Sequence, residues 1–161
     1  MPQAWQTDIA ESISTTPAAG QPAEQVSDLR SGRVAEVLIP PGLLVTPGTA
    51  PTQLKLPTSA AEVIKGLGVS VLMKISESGP NFQIGDAVLY LEEGEIWVAV
   101  EAAVTDGSDV YVRFANGAFT QKGAFRGDAD TATAGKLSGA RFTSTTTGAG
   151  FAKVRLNLPA V

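Results

Sequence analysis

The sequence predicts an all-β protein: a compact β-barrel or jelly-roll-like domain with one short helix, preceded by an extended N-terminal arm. Three observations predict it. Gly (17) and Pro (10) are both frequent while charged residues make up only 17%, the profile of a turn-rich β protein and not of a helical bundle. From residue 69 onward, short runs rich in Val, Ile and aromatics alternate with Gly- and Asp-containing turns, the mark of many short strands at close spacing. Residues 1–57 are Pro-rich and carry only brief apolar runs. The chain of 161 residues is therefore read as an arm over 1–57 and a β domain over 58–161, long enough for a core without staples.

In the arm, Trp5, Ile9 and Ile13 recur every fourth residue. This places them on one face of a short helix, with Asp8 and Glu11 toward its N-terminal half. Such a helix needs a surface to lie on. Its own domain and a second subunit serve equally well. "TTPAAGQPAEQ" (residues 15–25) reads as a linker. "GRVAEVLIPPGLLVTPGTAP" gives apolar runs at Val34–Ile39 and Leu43–Val45, divided by Pro40-Pro41-Gly42. Pro punctuation makes these edge strands or extended segments crossing a surface.

"TSAAEVIKGLG" is the helix signal. Ser59 with Glu62 three residues on forms a capping box, and Gly66 or Gly68 ends the helix. "VSVLMKI" (69–75) then reads as a strand. "DAVLYLEE" (86–93) is expected to turn at Gly94 into "EIWVAVEA". There Ile96, Val98 and Val100 share one face and Trp97 and Ala99 the other, a strand covered on both sides. "DVYVRFA" places Val110, Val112 and Phe114 on one side, Tyr111 and Arg113 on the other. "GARFTS" and "FAKVRLNL" close the series. The last puts Ala152, Val154, Leu156 and Leu158 inward and Lys153, Arg155 and Asn157 outward.

The chemistry is bounded by absences. With no His and no Cys, Ser-His-Asp, Cys-His and imidazole or thiolate zinc sites are excluded. Carboxylate chemistry, a Ser-Lys dyad and oxygen-ligated metals remain open. The net charge is −4, with Lys and Arg scattered and no basic block, so no nucleic-acid partner is expected. No apolar run is long enough for a membrane span. The N-terminus lacks a charged leader before an apolar block, so no secretion signal is expected.

"AFRGDADTAT" (124–133) holds Arg126-Gly127-Asp128 and the pair Asp128 and Asp130. A calcium loop needs more converging oxygens than this. Gly and Asp here are better explained as turn formers. Glu92, Glu93, Glu95 and Glu101 could pair as in a glycosidase, but the first three flank Gly94, where a solvated hairpin tip explains them. "GLGVSV" follows a helix and opens a strand, the wrong order for a dinucleotide site. Tyr90, Trp97, Tyr111 and Phe114 are read as core. No catalytic residue, metal or cofactor is expected.

Several stretches together resemble the structural cement, or capsid decoration, proteins of tailed bacteriophages. "GEIWVAVEAAVTDGSDVYVRF" (94–114) is similar to that family's strand–turn–strand segment. "GAFRGDADTATA" and "GARFTSTTTGAGFAKVRLNL" resemble its closing section. "AAGQPA", "VLIPPGLLV" and "GLGVSVL" stand in the same order upstream. The resemblance implies a non-enzymatic protein on the exterior of the virion capsid, bound to the major capsid protein, forming homo-oligomers (dimer or trimer), with arms over neighbouring subunits. The expected contacts with capsid or sister subunits are Trp5, Ile9, Ile13, Leu38, Ile39, Leu43 and Leu44. A head–tail or tail component, a carbohydrate-binding adhesin module and a carboxylate hydrolase are the alternatives.

Overall fold

The computed structural model describes residues 17–23, 28–72, 79–116 and 121–158. Among them are β1 (Asp28–Ala35), β2 (Leu44–Pro47), β3 (Gln53–Lys55), α1 (Ala60–Ile64) and β4 (Gly68–Ser70). β5 (Ala87–Val100), β6 (Asp109–Arg113), β7 (Phe125–Arg126), β8 (Ala134–Phe142) and β9 (Gly150–Asn157) follow. All nine strands belong to one sheet, in the order β1-β3-β2-β4-β5-β7-β6-β8-β9, with additional pairings of β5 to β1 and to β9. These two pairings close the sheet twice. β1, β3, β2, β4 and β5 form a first ring; β5, β7, β6, β8 and β9 form a second. Closure removes the sheet edges that would otherwise invite foreign strands.

β5 is the shared strand. Its first half pairs with β4 and β1, as in Val69↔Leu91 and Val34↔Ala87. Its second half pairs with β9 from Glu93↔Asn157 to Val100↔Gly150. The expected hairpin at Gly94 is thus replaced by a single strand of 14 residues. Gly94 lies in mid-strand at φ +129°, a conformation glycine adopts without the Cβ penalty, and it marks the passage from one ring to the other.

Two hydrophobic clusters match the two rings. Ala35, Ile39, Val45, Leu54, Phe82, Val88 and Tyr90 fill the first. The second holds Leu44, Val69, Leu91, Ile96, Val98, Val112, Phe125, Phe142, Val154 and Leu156, among others. On β2, Leu44 faces one cluster and Val45 the other. The shared wall is therefore buried on both faces, which accounts for its near-continuous apolar run. The edge-strand reading of Leu43–Val45 is overturned: Pro40 and Pro41 precede the strand and Pro47 ends it, so no proline interrupts its interior. β1–β3 likewise carry the sheet across the expected boundary at 57/58, because Ala35, Val45 and Leu54 are core. Trp5, Ile9, Ile13 and the end of the expected 69–75 strand lie outside the described residues.

Local signals hold where they are strong. Ser59 caps α1, its Oγ accepting from the Glu62 N–H at 3.3 Å. Glu62 reaches back to accept from Thr58 N at 2.6 Å, one residue upstream of the box position. On β9, Ala152, Val154, Leu156 and Leu158 are buried as expected. On β5, Ile96, Val98 and Val100 are buried but Ala99 is exposed, so the far end of the strand is covered on one face only. Residues 20–23 run beside β5: Gly20 N–H donates to Trp97 O, Trp97 N–H to Gln21 O and Ala23 N–H to Glu95 O, each at 2.8 Å.

Candidate functional site

The four described candidate contacts separate into surface and core. Leu38 is 45% exposed, whereas Ile39, Leu43 and Leu44 are buried. Leu38 belongs to a ribbon that extends the β1–β5 ladder. Arg33↔Val88 and Val34↔Ala87 set its register, and the Ile39–Phe82 bridge continues that register. Carried through, it sets Val37 opposite Ile84. Val37, Leu38 and Ile84 are all exposed apolar side chains at this tip.

The Arg-Gly-Asp loop is built differently from a receptor bait. Arg126 is buried, and its Nη1 lies 3.1 Å from Glu101 Oε2 and 2.9 Å from Asp130 Oδ2. Its Nε donates to Asp128 Oδ1 at 2.8 Å. The Arg and Asp of the tripeptide thus hold each other instead of spreading toward a partner. Arg113, also buried, donates from Nε and Nη2 to Glu101, each at 2.8 Å to one oxygen. Its Nη2 also reaches Asp130 Oδ2 at 2.5 Å and its Nη1 reaches Thr133 Oγ1 at 3.1 Å. These charge-assisted bonds satisfy two guanidinium groups that burial would otherwise penalise.

Electrostatics follow from that geometry. The hydrogen bond to Glu101 holds Arg113 protonated even beyond arginine's ordinary range, against the opposing effect of burial. The bond from Arg113 pulls the Asp130 carboxyl below the usual aspartate range. The cluster pins a loop in which Asp130, Thr131 and Ala132 take φ of +41°, +54° and +68°. That left-handed stretch is unfavourable for non-glycine residues, above all for β-branched Thr131. The sequence sets Arg113 on the same side of its strand as Tyr111 and names no partner for it; the available signal is a cation ending the apolar run "VYV", with acids on either side in the chain.

The acidic cluster, expected mainly as a solvated hairpin tip, is dispersed. Glu92 accepts from Arg30 at 2.8 Å, Glu101 joins the arginine cluster, and buried Glu95 accepts from Thr143 Oγ1. Among the described residues, no group of three or more carboxylates could hold a metal ion.

Comparison with known proteins places this double-ring fold. A solved chain from "The capsid of Myoviridae Phage XM1" superimposes with a TM-score of 0.73 at 15% identity, covering 91% of this chain and 93% of that one. "The crystal structure of head fiber gp8.5 N base in bacteriophage phi29" gives a TM-score of 0.44 at 9% identity, covering 83% and 97%. No curated protein matches the sequence. The family described as structural cement protein (E217 gp24/Pam3 gp6) matches residues 6–157. That span takes in both rings and the segment leading into them, and the chain belongs to the structural cement protein family.

Proposed function

We propose that this protein binds the outer surface of an assembled phage capsid and stabilises contacts between major capsid protein subunits, catalysing no reaction. The observation that carries the reading is the family match across residues 6–157. The physics is mass action: a protein that binds the assembled lattice and not the free subunits shifts the equilibrium toward the lattice. Many weak contacts repeated over a shell add avidity that no single contact supplies. The site of action is the virion exterior, after synthesis in the host bacterial cytoplasm.

The two-ring body supplies a rigid platform. The segment ahead of Pro17, with Trp5, Ile9 and Ile13 at four-residue spacing, reaches a neighbouring subunit. Ordering such a segment costs entropy, and in exchange it covers a large surface. On the body, Leu38 with Val37 and Ile84 forms the apolar contact. The working unit is a homo-oligomer, a dimer or trimer, on a local symmetry axis of the shell. Neither nucleic acid nor membrane takes part.

The test is to mix purified protein with undecorated heads and image them by cryo-electron microscopy, with parallel melting of the heads. The expected result is hundreds of copies outside the shell and a higher melting temperature. No binding, or a dozen copies at one vertex, overturns the proposal.

A further inference from the structure

The β8–β9 hairpin carries a charge pattern that the sequence conceals. Residues 134–158 contain Lys136, Arg141, Lys153 and Arg155 and no Asp or Glu, in a chain of net charge −4. The cations are spaced along two strands, so no basic block appears in sequence. Antiparallel register brings them side by side. Asp109 pairs with Arg141, Arg141 with Arg155, and Arg155 with Glu95. One row across β6, β8, β9 and β5 therefore reads acid, arginine, arginine, acid. The face holds four cations against Asp109, Glu95 and, at its edge opposite Asn157, Glu93, an excess of one positive charge.

Two directly opposed arginines are unfavourable in a ladder unless an anion lies between or over them. Both side chains are 61% exposed. Arg141 contacts Asp109, which Lys136 also reaches; Arg155 Nη2 lies 3.9 Å from Glu95 Oε1. The surface here is concave, lined by Asp109, Lys136, Arg141, Thr143, Arg155 and Asn157. Beside it the face becomes apolar. Trp97 pairs with Lys153, whose Nζ sits 5.9 Å from the indole, and Ala99 pairs with Phe151, which is 43% exposed. A basic, forked centre beside an exposed Phe151 and a half-buried Trp97 is the composition of a specific docking face.

We infer that this face docks an acidic, partly apolar surface of the capsid shell: shell carboxylates bridge Arg141 and Arg155 while apolar side chains cover Phe151 and Trp97. The inference rests on the cement reading above and names the chemistry of its partner. A polyphosphate chain fits less well. Glu95 and Asp109 bracket the arginine pair at both ends of its row and would repel the next phosphate, and the net charge of the protein opposes a polyanion.

The experiment is co-sedimentation of the full chain with undecorated heads at low and high salt. It compares wild type, Arg141→Glu/Arg155→Glu, and Lys65→Glu as a surface control just past α1. Wild type should bind with affinity that falls as salt rises. The double variant should bind at least tenfold more weakly with a flattened salt response, and Lys65→Glu should stay within twofold of wild type. Thermal unfolding checks the fold, and Arg141→Gln/Arg155→Gln, with an intermediate loss expected, carries the test if the Glu variant unfolds. Wild-type binding that either double variant leaves unchanged while folded overturns this inference alone. Failure of wild type to bind heads overturns the cement reading and this inference with it. Binding of a single-stranded oligonucleotide that the double variant abolishes assigns the face to nucleic acid and also overturns it.

Discussion

Arg113 and Glu101 form a two-pronged ion pair at the end of the second ring, with Nε–Oε1 and Nη2–Oε2 distances of 2.8 Å and no exposed surface on the arginine. Glu101 also accepts from Arg126 at 3.1 Å, so one carboxylate separates two buried guanidinium groups. Removing it leaves both cations short of an anion. Glu101→Gln is expected to destabilise the fold by about 3–5 kcal/mol, the range for breaking a buried pair from one side. Denaturant unfolding measures it. A loss below 1 kcal/mol would mean that Asp130 alone compensates both arginines.

Acid should loosen the same cluster. Asp130 is held below the ordinary aspartate value of 3.8, chiefly by the hydrogen bond from Arg113. A depressed folded value means that its stabilisation is fully present above the unfolded value and is lost as pH falls through the folded one. Asp130→Asn should therefore lower stability at neutral pH and narrow its gap to wild type as pH drops below 3.8. Unfolding curves at pH 7 and across the acid range test the sign. A gap constant with pH would remove Asp130 from the linkage.

Two glycines on and beside β5 separate backbone cost from steric cost. At Gly94 an added Cβ has its nearest neighbour at 3.6 Å, so only the φ of +129° resists it. Gly94→Ala should cost about 1–3 kcal/mol. At Gly68 an added Cβ would sit 2.4 Å from the Leu91 carbonyl oxygen and 2.7 Å from the Tyr90 ring. Gly68→Ala must spread β4 from β5 at the shared wall, and should cost more than Gly94→Ala, reaching or exceeding the ~1–3 kcal/mol of overpacking. Equal losses would show that the wall gives way freely.

What the sequence disclosed follows from the range of the interactions. Alternation on β9 and the Ser59 cap are set by residues two to four positions apart, and both are legible. The double ring is set by β5 pairing with β1, β4, β9 and β7, from chain segments far away. "LEEGEIW" carries every mark of a hairpin tip, yet Glu95 is buried because Thr143, Lys153 and Arg155 come to it from β8 and β9. Alternation groups Arg113 with Tyr111 but does not disclose its burial, because its partners, Glu101 and Asp130, are 12 and 17 residues distant. Among the expected contact residues, Ile39, Leu43 and Leu44 are buried and Leu38 is exposed; sidedness on a two-faced wall has no signature in period two.

That ambiguity makes the last prediction the sharpest for the contact surface. Leu44 is fully buried in the second core and Leu38 stands exposed at the ribbon tip. Leu44→Ala should cost ~2–5 kcal/mol of stability, the range for a large-to-small core change. Leu38→Ala should stay within about 0.5 kcal/mol of wild type, as surface changes do. Under the proposed function, Leu38→Ala should weaken binding to heads while the fold is intact. Leu44→Ala should affect binding only through the fraction that unfolds. Denaturant unfolding and head co-sedimentation on the same preparations separate the two effects. Full binding by Leu38→Ala would remove the ribbon tip from the interface.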